Sequence, residues 1–353
     1  MKMYKVIIWG LGHVGKSALK HIQSRKSLEL VAVYDLDPNK VGKDLTEISE
    51  YEETGVIVSN DREAVLAKEA DVVLYYAPQF YDEGSFAQAA LNKNCDDIVD
   101  ILNHKKNVIT TVTIYYSKKL APELYERIDA AAKANGVTYM QQGIYPGLFT
   151  PYIPVVLAMG TRKIEKVRVY GGEPDELNTA PWAAGFSFGK KLEELDKSKL
   201  DGITTMFMTA YGETMIEIAD RLGIDYDEYY QECETVLSDI DYDTHNPLYG
   251  FVKKGTIGAH ILHMGVKKDG KEVVGFHFVH KAAIAIHPEL SVDFGVEIIG
   301  ESRVEAKIEG ILTHSGDVFI TSEAPGVNLI PGVVAADSGF KNALEVPINH
   351  LPL

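Results

Sequence analysis

Five residues, Lys5-Val6-Ile7-Ile8-Trp9, lead into Gly10-Leu11-Gly12-His13-Val14-Gly15 and an amphipathic stretch, after which Leu30-Val31-Ala32-Val33-Tyr34 runs into Asp35. The order is strand, glycine turn, helix, strand, acid. Each glycine has a separate reason to be there. Gly10 permits the tight turn, Gly12 lets a pyrophosphate approach the backbone, and Gly15 lets helix and strand pack closely. The first amides of the helix, at His13 and Val14, would point their N–H groups and the positive end of the helix dipole at phosphates. Asp35 lies twenty residues past Gly15, where a carboxylate can accept hydrogen bonds from ribose hydroxyls. The pattern therefore predicts a dinucleotide site. The alternative is a glycine turn that joins strand to helix and binds nothing.

A chain of 353 residues favours two domains over one core. Its net charge of −16 disfavours a phosphate backbone or an anionic membrane surface as partner, so neither nucleic acid nor membrane is expected. Cys95 and Cys233 have no second Cys or His at ligand spacing, which argues for reduced thiols and against a zinc site. The first apolar strand starts almost at Met1, which leaves no room for a signal peptide, and no apolar run is long enough to span a bilayer. A soluble cytoplasmic location is the expectation.

Residues 1–147 alternate strands (4–9, 30–35, 56–59, 72–77, 108–112, 137–141) with helices (13–23, 62–67, 96–104, 118–134). Such alternation builds a doubly wound parallel sheet, an α/β domain covered on both faces. Asn60 and Glu63 form a candidate capping box. The connection 81–95 is long enough to be a lid, an oligomer contact or a surface insertion. Residues 148–325 read differently. A strand at 165–170 enters a Gly/Pro-broken loop at 171–181. Helical segments at 200–222 and 226–237 follow, then strands at 256–267, 272–284, 291–299 and 303–312, with Asp269-Gly270 as a hairpin turn. This half is predicted to be an α+β substrate domain with a mostly antiparallel sheet. A last apolar helix at 326–337 would bring residues 326–353 back onto the first domain.

In a doubly wound sheet, ligands meet the carboxyl ends of the strands. Three stretches belong there: Ala77-Pro78-Gln79, Thr110-Thr111-Val112-Thr113-Ile114-Tyr115-Tyr116, and Gln141-Gln142-Gly143-Ile144-Tyr145-Pro146-Gly147. Taken with the Gly10–Gly15 turn, Tyr34–Leu45, Lys106–Thr111, Gly255–Ala259 and Val327–Ala336, they give the chain a resemblance to the dihydrodipicolinate-reductase-like superfamily. Within it, the chain most resembles the branch of 2,4-diaminopentanoate dehydrogenase and the natural amine dehydrogenases. The resemblance implies a Rossmann domain, a substrate domain at a homodimer interface, and NAD(P)-linked interconversion of an amine with an imine or carbonyl. The strand-end position puts Ala77, Pro78, Thr110, Thr111, Tyr145 and Pro146 near the coenzyme, with the glycine turn and Asp35.

Two positions depart from the family. The resemblance implies a glutamate just after the fifth strand that positions or deprotonates ammonia, and Thr113 stands there. A threonine hydroxyl is no base near neutral pH. The family's Asn before Pro-Gly is Tyr145. These changes leave the coenzyme expectation intact and open two alternatives: a carbonyl or cyclic-imine reductase that needs no ammonia, or a non-catalytic NADH sensor. The candidate proton handlers are Thr113, Tyr115, Tyr145 and Glu173; the tyrosines can equally be pocket lining, and Glu173 an exposed loop acid. His260 and His263 sit at odd spacing on one strand and so on opposite faces. Counting from the Asp269-Gly270 turn pairs His263 with Phe276 and His260 with Val279. No metal site is expected, and Ile261, His263, Phe276, Phe278 and His280 would share a face. Asp35 and Asp37 repel a 2′-phosphate and favour NAD; Asn39, Lys40 and Lys43 could offset them and admit NADP.

Overall fold

The computed structural model describes residues 2–52, 55–78, 88–111, 116–179, 181–309 and 319–348. The chain divides into two compact units, Met1–Leu148 with Ser315–Leu353, and Phe149–His314. Among the described residues no helix is long and apolar enough to cross a membrane.

The first unit is a seven-stranded parallel sheet. Its strands are β1 (Tyr4–Trp9), β2 (Leu28–Tyr34), β3 (Val58–Ser59), β4 (Val72–Tyr75), β5 (Asn107–Thr110), β6 (Thr138–Gln141) and the chain's last strand, β15 (Gly339–Lys341). They lie in the order β15-β6-β5-β4-β1-β2-β3. The helices are α1 (His13–Gln23), α2 (Leu45–Ile48), α3 (Arg62–Leu66), α4 (Gln88–Asn103), α5 (Ser117–Leu120), α6 (Pro122–Asn135), α10 (Ile320–Asn328) and α11 (Ile330–Ala335). Both faces of the sheet are covered. Val6, Ile8 and Leu74 pack with α1, α10 and α11 on one side; Ile7, Val73 and Val108 pack with α4 and α6 on the other. A strand buried on both faces reads as a continuous apolar run, which is what Val6-Ile7-Ile8-Trp9 is.

Several local expectations change in this unit. Asp61, not Asn60, caps α3, its side chain accepting from Ala64 N–H at 3.0 Å. The helix expected over 118–134 is interrupted by Pro122, which cannot continue α5 but suits the first turn of α6. The terminal helix begins earlier than expected and is broken near Leu329. The three-residue strand β15 carries no periodicity of its own and forms because Phe340 and Lys341 find Tyr139 and Met140 on β6.

The second unit holds α7 (Tyr152–Leu157), β7 (Lys166–Pro174), α8 (Lys197–Phe207), α9 (Glu213–Leu222), β8 (Glu228–Leu237), β9 (Tyr242–Asp243), β10 (Phe251–Val252), β11 (Ile257–Lys268), β12 (Lys271–Lys281), β13 (Phe294–Ile299) and β14 (Val304–Ile308). Six strands form one sheet in the order β14-β13-β7-β12-β11-β8, and only β7 and β12 pair in parallel. The helix expected over 200–222 is α8 and α9 joined by a π turn at Met208–Gly212.

Three corrections in this unit matter for function. Residues expected as a helix over 226–237 form the strand β8, since pairing along β11 rewards Tyr229, Tyr230, Thr235 and Val236, all of them strand formers. As an edge strand, β8 exposes Glu228, Glu232 and Glu234 to solvent, which discourages further pairing. Next, β7 continues to Pro174 through Gly171 and Gly172, so Glu173 lies on a strand and not in a loop. The glycines are tolerated in this central strand because β12 presses on it: a Cβ at Gly172 would sit 2.5 Å from the Val279 carbonyl oxygen. Finally, the β11–β12 ladder shifts register between Val266 and Lys267. Val273 is the extra residue, so His263 faces His277 and His260 faces His280, not Phe276 and Val279. The buried face thus carries His260, Leu262, Met264, Phe276, Phe278 and His280, while Ile261 and His263 lie on the opposite face with His277.

Candidate functional site

The first unit brings the glycine turn and the acid together. Gly10 has φ +100° and its amide donates to Tyr34 O at 2.8 Å. A Cβ at Gly10 would lie 2.8 Å from Tyr76 O, and one at Gly15 would lie 2.3 Å from Gly10 O. Gly10 and Gly15 are therefore required by the fold itself. Gly12 is not: a Cβ there meets nothing within 4 Å, and its φ of −80° suits any residue. The open space at Gly12 lies at the N-terminus of α1, where no side chain caps the helix and no acid sits in the first turn. Gly12 and His13 are exposed, Val14 is half-buried, and the His13 ring stacks on Phe319 at 4.9 Å. A pyrophosphate fits this cradle by charge, by free N–H groups and by space.

Asp35 has an anchoring role beyond ribose recognition. One carboxylate oxygen accepts from Leu11 N–H at 2.6 Å and lies 3.3 Å from Lys40 Nζ; the other accepts from Asp37 N–H at 2.8 Å. It thus clamps the glycine turn to the end of β2. Lys40 also lies 3.4 Å from Asp37, so its charge is already shared between two acids.

The other strand ends vary in what they present. Ala77 is half-buried and Pro78 exposed, its carbonyl oxygen accepting from Asn94 Nδ2 at 3.4 Å. Thr110 is buried and donates to Tyr75 O at 2.9 Å, so its hydroxyl serves the sheet; Thr111 is half-buried. Tyr145 and Pro146 are buried, joined by a cis peptide. At the end of β6, both amide atoms of Gln141 and the Oε1 of Gln142 are buried with no hydrogen-bond partner among the described residues. Buried amides are nearly always paired, so orphaned ones at the ligand edge of such a sheet fit a polar ligand. Sequence reasoning passed over both glutamines because a Gln carries no sign of whether its amide will be satisfied. Thr113, Tyr115 and Gln79 lie outside the described residues, as do residues 81–87 of the long connection.

The second unit holds a polar row that the sequence reading did not assemble. Four adjacent strands place Thr235, His260, His280 and Glu173 side by side in register on one face. His260 is fully buried; its Nε2 lies 2.8 Å from Phe186 O and its Nδ1 3.1 Å from Thr235 Oγ1. A carbonyl only accepts, so Nε2 carries the hydrogen and the Thr235 hydroxyl donates to Nδ1. Burial drives the pKa of His260 down to about 4 and keeps the ring neutral.

His280 is also fully buried, with Nδ1 2.9 Å from an Asp175 carboxylate oxygen and Nε2 unpartnered among the described residues. The other Asp175 oxygen accepts from Asn178 Nδ2 at 2.8 Å. Asn246 donates to the carbonyls of Asp175, Glu176 and Asn178 at 3.1, 3.0 and 2.9 Å and so fixes the turn that carries Asp175. Glu173, Asp175 and His280 each bring a potential ligand atom within 4.8 Å of the others. Asp175 and Nδ1 are committed to each other and to Asn178, which makes this a hydrogen-bonded Asp–His pair beside a carboxyl. Burial pushes the Glu173 carboxyl above its usual range; His280 counters this and Asp175 adds to it. The signal for this group was in the sequence as Glu173-Pro174-Asp175, but Asp175 could not be weighed without the register that brings His280 beside it.

On the opposite face, His277 and His263 meet edge to face at 4.7 Å, and His277 Nε2 lies 2.9 Å from Glu272. Hydrogen bonds from His277, Lys166 and Tyr230 outweigh the burial of Glu272 and hold its carboxyl far below the ordinary range. That arrangement is a surface ion-pair network.

Residues 4–95 match the family described as dihydrodipicolinate reductase, N-terminus, and residues 187–352 match the 2,4-diaminopentanoate dehydrogenase C-terminal domain. The chain is 24% identical to an amine dehydrogenase of Streptomyces virginiae, over 98% of this chain and 97% of that protein. It is 25% identical to the 2,4-diaminopentanoate dehydrogenase of Acetoanaerobium sticklandii, over 100% of this chain and 92% of that one. Among solved structures, the amine dehydrogenase from Mycobacterium smegmatis shares the fold with a TM-score of 0.74 at 18% identity, covering 99% of this chain and 97% of that one. A dipicolinate-bound dihydrodipicolinate reductase from Paenisporosarcina sp. TG-14 does so with a TM-score of 0.53 at 15% identity, covering 97% and 98%.

Two measurements check these assignments. Gly12→Val leaves the fold intact, since the space around its Cβ is open, and abolishes NADH and NADPH binding by calorimetry; retained affinity refutes the cradle. For His260, a folded pKa near 4 against 6.5 unfolded means that the unfolded chain binds the extra proton between those values. Stability is therefore present above pH 6.5 and lost as pH falls toward 4, by at most about 3 kcal/mol. In His260→Gln this component is absent, and denaturation midpoints measured at pH 4.5 and 7 fall closer together than in the parent.

The glycine cradle, the clamped acid and the two matched domains agree: the chain resembles the dihydrodipicolinate-reductase-like superfamily, in its branch of 2,4-diaminopentanoate and amine dehydrogenases, and is an NAD(P)-dependent oxidoreductase.

Proposed function

We propose that this enzyme interconverts a small primary amine with its imine or carbonyl counterpart. The observation that carries this reading is the match of residues 187–352 to the 2,4-diaminopentanoate dehydrogenase C-terminal domain, since that half of such an enzyme selects the substrate. The chemistry of the second unit agrees with it. A carboxyl at Glu173 beside the Asp175–His280 pair suits a substrate that is cationic as an amine and gains or loses a proton at nitrogen.

Bound coenzyme supplies or accepts the hydride. The chain's own residues hold it: the N-terminus of α1 and the backbone at Gly12 receive the phosphates, and Asp35 serves the ribose. NAD is the preferred coenzyme in this reading, because the Asp35 carboxylate repels a 2′-phosphate and Lys40 is divided between Asp35 and Asp37. By the family resemblance, the working form is a homodimer, for which light scattering should return twice the monomer mass; the chain's two free cysteines suit a cytoplasmic location.

Thr113, at the position of the family's glutamate, favours a second reading: reduction of a carbonyl or cyclic imine with no ammonia as co-substrate. NADH oxidation over a panel of ketones and aldehydes, with and without ammonium chloride, separates the two. The expected result is turnover that requires ammonium and is faster with NADH than with NADPH. Equal turnover without ammonium establishes the reductase reading. Tight NADH binding with no turnover on any carbonyl or imine makes the chain a coenzyme sensor.

A further inference from the structure

We propose that Glu173 is the acid–base residue for the nitrogen of the amine substrate, and that the buried Asp175–His280 pair behind it is the positioning and proton-holding partner. The inference rests on the amine reading above and deepens it.

The placement begins with register. Glu173 on β7 and His280 on β12 are direct neighbours in the parallel pair, so both side chains leave the same face of the sheet. Pro174 ends the strand, and the next turn folds Asp175 back onto His280 at 2.9 Å. Asn246, through its three carbonyl contacts, holds that turn rigid.

The three groups are not equivalent. Asp175 and His280 are fully buried, while Glu173 retains some exposure and is the member a ligand meets first. Among the described residues the Glu173 carboxyl has no hydrogen-bond partner. His280 Nε2 is likewise unpartnered although wholly enclosed. An imidazole whose Nδ1–H is spent on a carboxylate has one nitrogen left to take or give a proton. Leaving that nitrogen unpaired in a closed interior is costly unless a ligand completes it.

The walls select for charge. Phe186, Phe207 and Phe278 lie with ring centroids 4.5, 4.6 and 4.9 Å from the His280 ring. These rings keep water from the His280 ring and lengthen the reach of the neighbouring carboxylates, which favours a cationic nitrogen at Glu173 over an anionic group.

The step is a proton transfer. A nitrogen–hydrogen bond of the substrate ammonium breaks and its electron pair stays on nitrogen, which yields the neutral amine. The proton forms an O–H bond on the Glu173 carboxylate. The Asp175–His280 pair, with a ligand atom of each residue within 4.8 Å of one on Glu173, is the neighbouring group that can take the proton on from the carboxyl and restore the carboxylate. In the direction of amine formation the same groups return the proton. Thr113 is not needed for this duty.

The test uses the full chain. Glu173→Gln keeps shape and folding, checked by circular dichroism, and leaves NADH affinity at the parental value. It lowers kcat/KM for the best amine of the panel by about 10²- to 10⁴-fold and removes the acid-side limb of the pH profile. Asp175→Asn loses less and moves that limb along the pH axis, which a merely structural role would not do. A coenzyme-free readout uses methylammonium chloride as the probe: it shifts the ring ¹⁵N resonances of His280 in the parent and leaves them unmoved in Glu173→Gln, with sodium chloride as control. Parental kcat/KM and an unchanged pH profile in Glu173→Gln overturn the proposal, as does a His280 signal blind to methylammonium in the parent. If no amine or carbonyl turns over while NADH binds, the amine reading itself has failed, and the resonance experiment still reports separately on the Glu173 site.

Discussion

β12 has one more residue than β11 between the hairpin turn and their paired cores, and the chemistry of the second unit depends on it. Without Val273 as an unpaired residue, His260 would face Val279 and the two buried histidines would belong to different rows. With it, Thr235, His260, His280 and Glu173 form one line across four strands. A side-chain period of two makes this an all-or-none matter: a slip of one residue sends every side chain of a strand to the other face. The same shift turns His263 and His277 outward, toward the Glu272 network.

Burying that row carries a cost which the surrounding turn offsets. A carboxylate as enclosed as Asp175 would be several kcal/mol unfavourable if left alone. It is instead bonded at both oxygens, by Asn178 and by His280. Asn246, itself buried, fixes the backbone that presents it. His260 avoids the penalty differently, by staying neutral between a carbonyl and a hydroxyl. Two histidines on adjacent strands thus have different hydrogen-bond settings. One is sealed by hydrogen bonds at both nitrogens, and the other is left open at Nε2.

The first unit was readable because its constraints are local. Gly15 meets the backbone of Gly10 within the turn itself, Gly10 meets that of Tyr76 at the end of the neighbouring strand, and Asp35 reaches the turn from the adjacent strand on the other side. Apolar runs buried on both faces announce parallel strands. The second unit was less readable because its decisive contacts join distant segments. Glu228–Leu237 has enough Glu and Gln residues to pass for a helix until β11 is beside it. A bulge two residues from a strong hairpin turn leaves no mark in composition, so the histidines were assigned to the wrong partners. Glu173 was recognised as chemically interesting, while Asp175 and the open nitrogen of His280 became visible only once their neighbours were placed.

A dehydrogenase acting on an amine must manage a proton as well as a hydride, because an ammonium nitrogen has no free electron pair to stabilise the carbon that loses hydride. The family resemblance assigns that proton to a carboxylate after the fifth strand, and a threonine in its place cannot hold it at neutral pH. Loss of one base need not abolish the reaction if another group of suitable proton affinity is available. Burial raises the proton affinity of Glu173, and the Asp–His pair beside it can share the load. A solitary surface glutamate would be too weak a base and too well solvated for the task. What distinguishes Glu173 is its setting: a strand position directly beside His280, whose ring is enclosed by aromatic side chains and whose orientation is fixed by a buried acid.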